Sequence, residues 1–358
     1  MSQRGAEDVK KVAIIGCGFF APNHIHAWSS LEGAGLVAVC DLNPQLAQRA
    51  AALAGDIPWY TDAAQLLEQC HPDVVDIITT APSHLALARL CAERGVPAII
   101  QKPLSFNFKE AIEIAALASR FNVPMMVHEN FRFQAPMREI KSIIDSRSIG
   151  TLHYCRVAFR SGYDIFKGQP YLRESERLVL MDNGVHVFDV ARFLMGEIAG
   201  LSCRTQRVRS DVRGEDMASA LVKFSSGAMG VVEVSWGSFL PEDPFPETLI
   251  AVEGSAGSVV LDRHYRLSVR SGESVRTYSV EPECPAWGER PWHVVQDSVV
   301  EACRHWLDVA AGRAELQTSV QDNINTLAAV EACYISAAQN GAFVALSEPF
   351  RVTAQAQV

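Results

Sequence analysis

Val12-Ala13-Ile14-Ile15-Gly16-Cys17-Gly18-Phe19-Phe20-Ala21 is the stretch from which the fold can be read. Four apolar residues make a buried strand, and Gly16-x-Gly18-x-x-Ala21 turns it into a helical run, the context that a dinucleotide loop requires. Gly16 allows the tight turn, Gly18 lets the backbone approach a pyrophosphate, and Ala21 is small where the helix packs on the strand. Asp41 ends the second expected strand, 23 positions after Gly18, where a carboxylate binds the adenosine ribose diol. The same carboxylate repels a 2′-phosphate, and no arginine follows within the next few positions, so NAD is expected rather than NADP. An ordinary strand-turn-helix with a stray Asp is the competing reading; it ranks lower because context and spacing both fit.

Outward from this loop, residues 11 to 128 alternate short β-branched runs with Ala- and Leu-rich stretches. Strands are expected at Lys11–Ile15, Gly35–Asp41, Val74–Thr79, Ala98–Gln101 and Met125–His128, with helices near 21–32, 43–54, 62–69, 83–94 and 107–121. That alternation predicts a doubly wound parallel sheet. After Gly150 the texture changes. Strands are expected at Thr151–Arg160, Met217–Phe224, Ala228–Trp236, Glu247–Glu253, Ser258–Asp262 and Tyr265–Ser271. Ser225-Ser226-Gly227 and Gly254-Ser255-Ala256-Gly257 are turn material joining neighbours, which implies antiparallel pairing. Helices near Val294–Ala311 and Ser319–Asn340 follow. The fold class expected is therefore α/β, with an N-terminal domain over 1–129 and a second α+β domain over 130–358. Residues 241–246 and 281–292 are the loops expected to line something.

At 358 residues the chain is expected to hold about two domains. Its 48% hydrophobic and 20% charged content is ordinary for a globular protein with a sizeable core. The net charge is −9 and no basic stripe is present, so a nucleic-acid partner is not expected. Apolar runs are strand-length and the polar start Met1 to Lys11 has no signal-peptide core, so no membrane partner is expected and the cytoplasm is the expected address. The nine cysteines are scattered and never form C-x-x-C. They read as small buried hydrophobes in a reducing compartment.

Two further segments carry chemistry. Gln101-Lys102-Pro103 ends an apolar run with a lysine at the carboxyl end of its strand, where open α/β sheets bind ligands. Met181-Asp182-Asn183-Gly184-Val185-His186-Val187-Phe188-Asp189 sets a carboxylate and an imidazole four positions apart, on one face of a helix. Each has a bland alternative. A lysine beside proline is commonly a solvated strand end, and the wheel of Asp182, His186 and Asp189 against Val187, Val190, Ala191 and Leu194 also describes an ordinary amphipathic helix.

Taken in order with the Gly16–Ala21 loop and Thr80-Ala81-Pro82-Ser83-His84, these segments resemble the Gfo/Idh/MocA family, named for glucose-fructose oxidoreductase and inositol dehydrogenase. The resemblance implies a Rossmann domain followed by a domain whose mostly antiparallel sheet has one open face, which in this family commonly mediates homodimers or homotetramers. Typical members oxidise or reduce one hydroxyl or carbonyl of a sugar, inositol or related polyol. The cofactor contacts it implies are Gly16, Gly18, Phe19, Phe20, Asp41, Thr79, Thr80, Pro82, His84, Gln101 and Lys102. The family's usual Glu-Lys-Pro is here Gln101-Lys102-Pro103, which removes a negative charge beside the lysine. The glycine-rich approach to the catalytic Asp is replaced by Glu176-Arg177-Leu178-Val179-Leu180.

On this reading Lys102 stabilises a developing alkoxide, His186 takes the proton, Asp182 orients the substrate or holds the imidazole, and Gly184 leaves room for a close ligand. Substrate contacts are expected from Asn130, Arg132 and Tyr163, with Asp164, Tyr171, Trp292 and His293 as weaker candidates. A structural salt bridge is an equal alternative for Arg132. The run His128-Glu129-Asn130-Phe131-Arg132-Phe133-Gln134-x-Pro136 resembles a subgroup that oxidises a branched pentose to its lactone. His24 and His26 stand two apart and make a poor ligand pair, so no metal is expected. The rival functions are an NAD-assisted glycoside-cleaving enzyme and a non-catalytic NAD-binding regulator.

Overall fold

In the computed structural model, which describes residues 9–346, the chain forms two compact units. Among the described residues, one comprises 9–129 and 299–323; the other comprises 130–298 and 324–346. Residues 1–8 of the polar start lie outside the described residues.

The first unit opens with strand β1 (Lys10–Ile15), helix α1 (Ala21–Ser29), β2 (Ala34–Cys40) and α2 (Pro44–Leu53). It continues through β3 (Trp59–Tyr60), α3 (Ala63–Cys70), β4 (Val74–Ile77), α4 (His84–Glu93), β5 (Ala98–Gln101), α5 (Phe108–Phe121) and β6 (Met125–His128). The six strands pair in the order β3-β2-β1-β4-β5-β6, all parallel. Strands β4, β5 and the edge strand β6 are buried at every position, as a sheet covered on both faces requires. Helices start where side chains accept orphan amides: Asn43 from Gln45, Asp62 from Ala64 and Gln65, and Asn107 from Lys109. The expected strand Val74–Thr79 stops at Ile77, leaving Ile78 and Thr79 to the loop that faces Gly16. Residues 299–323 join this unit because Thr318 docks on the edge of β6. Val127 N–H donates to Thr318 O at 2.8 Å and Thr318 Oγ1 donates to Val127 O at 2.8 Å.

The second unit contains α6 (Ala135–Asp145), β7 (Leu152–Arg160), α7 (Val185–Met195), β8 (Ile198–Gln206), β9 (Met217–Phe224) and β10 (Met229–Ser235). Four strands follow, β11 (Leu249–Gly254), β12 (Gly257–Asp262), β13 (Arg266–Ser271) and β14 (Ser274–Ser279). The chain then forms α8 (His293–Ala310), α9 (Val320–Ala338) and β15 (Val344–Ala345). The nine strands order as β14-β13-β12-β11-β7-β10-β9-β8-β15. All pairs are antiparallel except β7 with β10. Both expected turns are present, with Gly227 at φ +92° in the first. One face of the sheet packs on helices such as α7, while the other carries the cross-strand row Leu221, Val231, Arg156, Ala251, Val260, Ser268, Thr277. Leu221 and Val260 on that row are exposed. Strands β8 and β14 were not expected: Ile198–Gln206 breaks alternation with Gly200 and Ser202, and Ser274–Ser279 is nearly all exposed.

Candidate active site

In the first unit, Gly16 sits at φ +99°, and a Cβ there would lie 2.7 Å from Ile78 C and Thr79 N. Only glycine fits, because the turn is left-handed and pressed against β4's exit. At Gly18 the opposite holds: a Cβ would meet nothing within 4 Å. The loop thus leaves a bare cradle at the N-terminus of α1, where peptide N–H groups favour an anion. Asp41 is oriented by this loop, Oδ2 accepting Cys17 N–H and Oδ1 accepting Asn43 N–H, each at 2.8 Å. These residues fit a dinucleotide. Phe19 is exposed beside the cradle and Phe20 half-buried. Thr80 and Pro82 are exposed, and Thr79 Oγ1 accepts Ser83 Oγ–H at 2.7 Å.

His84 is placed differently from the expectation of a cofactor contact. It is fully buried, with Nδ1 3.1 Å from Leu104 O and Nε2 3.0 Å from Thr79 O. Burial holds its pKa below the ordinary value. Its ring pins the Thr79 loop to the segment after Lys102, so it shapes the site from beneath.

Lys102 follows directly on β5, half-buried. Gln101 is held by Lys102's own N–H, which donates to Oε1 at 2.8 Å, and by His24, whose Nε2 is 3.3 Å from the amide nitrogen. His24 Nδ1 in turn lies 2.7 Å from Asp76 Oδ2, which also accepts Trp28 Nε1–H at 2.8 Å. Burial disfavours the Asp76 charge, but the His24 ring, with His128 and Trp28, reverses the sign and holds the carboxyl below its usual range. His24, His128 and Cys303 bring one donor atom each within 4.8 Å. Both nitrogens of His24 already have partners in Asp76 and Gln101, so the trio lacks the free ligand set of a zinc site.

In the second unit, the segment before α7 is a π-helical turn over Leu180–Gly184, closed by Val185 N–H reaching back to Leu180 O. Such wide turns concentrate at functional sites. Asp182 rides on it, half-buried, and its Oδ2 accepts Trp236 Nε1–H at 3.0 Å from just beyond β10. His186, in the first turn of α7, is 4% exposed and stacks flat on Phe131, ring centroids 3.9 Å apart. Gly184 does not open space for a ligand as expected. A Cβ there would meet Leu180 Cδ2 at 3.2 Å, so the glycine accommodates the π turn's own side chain.

An aromatic group lies around Trp236. Tyr163 stacks on Phe245 at 3.9 Å, Trp292 meets Phe245 edge-on at 5.0 Å, and Trp236 is 6.3 Å from Phe245. Tyr171 is exposed, and its hydroxyl donates to Gln169 Oε1 at 2.8 Å. Asp243 ties the two loops together by accepting from Ser161 Oγ and Gly162 N–H, both at 2.6 Å. Sequence reasoning marked the 241–246 loop without singling out Phe245 in it, and missed Trp236 and Phe131. Asp164 faces Arg173 at 3.5 Å, and buried His293 faces Glu281 at 3.1 Å.

Asn130 and Arg132 go elsewhere than to substrate. Asn130 Nδ2 donates to Ser298 Oγ at 2.7 Å, both groups buried. Arg132 grips Asp189 with two hydrogen bonds of 2.7 and 2.6 Å, and Thr326 Oγ1 donates to the same carboxylate at 3.2 Å. With Asp189 fully buried and Arg132 7% exposed, the structural salt bridge is the better description.

The oxidoreductase family model with an NAD-binding Rossmann fold matches residues 10–129, and the GFO/IDH/MocA C-terminal domain model matches residues 137–260. The chain belongs to the Gfo/Idh/MocA family. A D-apiose dehydrogenase of Rhizobium rhizogenes is 42% identical over 92% of this chain and 95% of its own length. A second D-apiose dehydrogenase, from Paraburkholderia graminis, is 43% identical over 91% of this chain and 87% of its own. Among solved structures, an oxidoreductase from Agrobacterium radiobacter in complex with NAD+, L-tartaric acid and magnesium is 42% identical. It covers 94% of this chain and 98% of its own at a TM-score of 0.92. The Gly16 loop and Asp41 lie within the part of the chain that the NAD-binding Rossmann model matches.

Proposed function

We propose that this chain is an NAD-dependent dehydrogenase that oxidises a sugar hydroxyl, with D-apiose, converted to its lactone, as the specific substrate. The observation that carries the reading is the likeness to two D-apiose dehydrogenases over nine-tenths of the chain. Lys102, Asp182 and His186 supply the acid–base set such a reaction needs.

When bound, NAD accepts the hydrogen of the carbinol carbon together with its electron pair. The chain's own residues handle the oxygen. The Lys102 ammonium lies at the end of β5, so positive charge is available where negative charge builds on oxygen. His186 takes the hydroxyl proton, a task suited to a ring that ordinarily titrates near neutrality. Stacking on Phe131 fixes the plane of its ring. Asp182, steadied by Trp236, aligns a second hydroxyl. Tyr163, Phe245 and Trp292 offer apolar faces against which the C–H side of a pentose packs.

The open sheet face supports a homodimer or homotetramer, since exposed Leu221 and Val260 stand in one cross-strand row. No helix among the described residues is long and apolar enough to cross a membrane. The nine free thiols fit a reducing, cytoplasmic address. The test is NADH absorbance in a panel of aldoses, branched pentoses and inositols. Turnover on D-apiose with NAD, above other sugars, is expected, and NADH rising in step with product excludes glycoside cleavage. Saturable NAD binding with no turnover across the panel would overturn the reading in favour of a regulator.

A further inference from the structure

Behind Lys102, hydrogen-bond directions in the buried chain from Gln101 to Asp76 have a single consistent assignment. Lys102 N–H can only donate, so the atom of the Gln101 amide that faces it at 2.8 Å must be the oxygen. The amide nitrogen is then left facing His24 Nε2 at 3.3 Å. An amide nitrogen also only donates, so that ring nitrogen must present a lone pair. A neutral imidazole with a bare Nε2 carries its proton on Nδ1, which is where Asp76 Oδ2 waits at 2.7 Å. His24 and Asp76 are both fully buried, and Gln101 is 9% exposed, so water does not offer alternative partners. The other ionisable groups packed around the ring are His128 from β6, at 4.3 Å between centroids, and Cys303 from α8. Burial, then the Asp76 charge, keeps the Cys303 thiol protonated. Phe20 meets the ring edge-on at 5.4 Å, and Trp28 Nε1–H donates to the same Asp76 oxygen at 2.8 Å.

We propose that Gln101 is a positioning residue: it locks buried His24 as the neutral Nδ1–H tautomer and couples that locked ring to the backbone of Lys102. The inference rests on the proposed role of Lys102 and deepens it. Protonating Nε2 would aim an N–H at an NH2 group, so the ring stays neutral although a carboxylate touches its other side. A carboxylate at position 101 reverses this. It still accepts Lys102 N–H, but it also accepts from Nε2, so the ring takes up a proton and becomes an imidazolium between two carboxylates. Gln101 therefore removes a proton-binding group from beneath Lys102 in the range of about pH 5 to 8 where histidine changes charge.

The test uses the full-length wild type and Gln101→Glu, an isosteric change, with histidine side chains labelled with 15N and read by long-range 1H–15N correlation. In the wild type, one ring is expected in the Nδ1–H form with shifts that do not move across about pH 5 to 8. In Gln101→Glu that ring is expected doubly protonated at neutral pH, and the pH profile of kcat gains one ionisation. Two outcomes overturn the lock: a wild-type spectrum with no pH-invariant Nδ1–H ring, or Gln101→Glu leaving that ring neutral. A changed ring with an unchanged kcat profile overturns the coupling to Lys102. Because the tautomer is read without turnover, an enzyme inactive on every sugar would sink the proposed function while the spectra still decide the role of Gln101.

Discussion

His186 enters the site with its ring plane already set by Phe131, so its replacement tests chemistry more than placement. His186→Asn keeps a polar group of similar reach and is expected to lower kcat about a hundredfold or more, the scale of losing a general base. Steady-state kinetics on D-apiose check it, and wild-type turnover would refute the assignment. At the other end of the cofactor, Asp41 is aimed by two backbone N–H groups. Asp41→Ser is expected to raise KM for NAD and lower KM for NADP, since the repulsion toward a 2′-phosphate is gone; competition between the two cofactors reads the switch. Both residues are proposed from the sequence, Asp41 by its spacing after the Gly16 loop and His186 by the ordered motifs around it. The setting of His84 was not legible there. A histidine after Pro82 looks the same whether it meets a cofactor or two carbonyls, and only the packing of Leu104 over Thr79 decides between them. Phe245 escaped for the same reason, since its neighbours Tyr163 and Trp292 are 82 and 47 positions away.

At the scale of elements, the π turn and α7 depend on a buried anchor. Arg132, from the short segment before α6, holds Asp189 in the middle of α7, and Thr326 adds a bond from α9. Removing one partner of a buried ion pair strands the other and costs about 3–5 kcal/mol. Arg132→Met is therefore expected to lower the urea midpoint strongly while leaving KM for substrate near wild type. A raised KM at unchanged stability would return Arg132 to the substrate site. The elements that sequence reasoning placed well, the Rossmann strands and the hairpins around Gly227 and Gly254, carry their own local signals of β-branched runs bounded by turn residues. Those it missed take their form from neighbours. Strand β8 pairs with β9 over its length despite its glycine and serine. The π turn has no signature beyond Gly184, whose missing side chain makes way for Leu180.

At the scale of the whole molecule, the open face of the nine-stranded sheet bears on assembly. Leu221→Arg places a second charge, two strands from Arg156, at one end of the row and is expected to reduce the solution mass to that of one chain, read by light scattering, with the far-ultraviolet spectrum unchanged. An unaltered mass would overturn the proposal that copies associate through this face. Fold class and the open face followed from alternation and family likeness. The two-part composition of the first unit did not, because Thr318 reaches β6 across nearly two hundred residues of chain.

The cysteines, buried or half-buried at eight positions, leave Cys284 as the single exposed thiol. It lies in the proline-rich segment that leads to Trp292, a member of the aromatic group with Tyr163 and Phe245. A maleimide fluorophore added to native protein should therefore attach once, with no engineering of the other eight, and peptide mapping would confirm the position. Quenching of that dye by the indole would then report sugar arrival optically, with or without turnover.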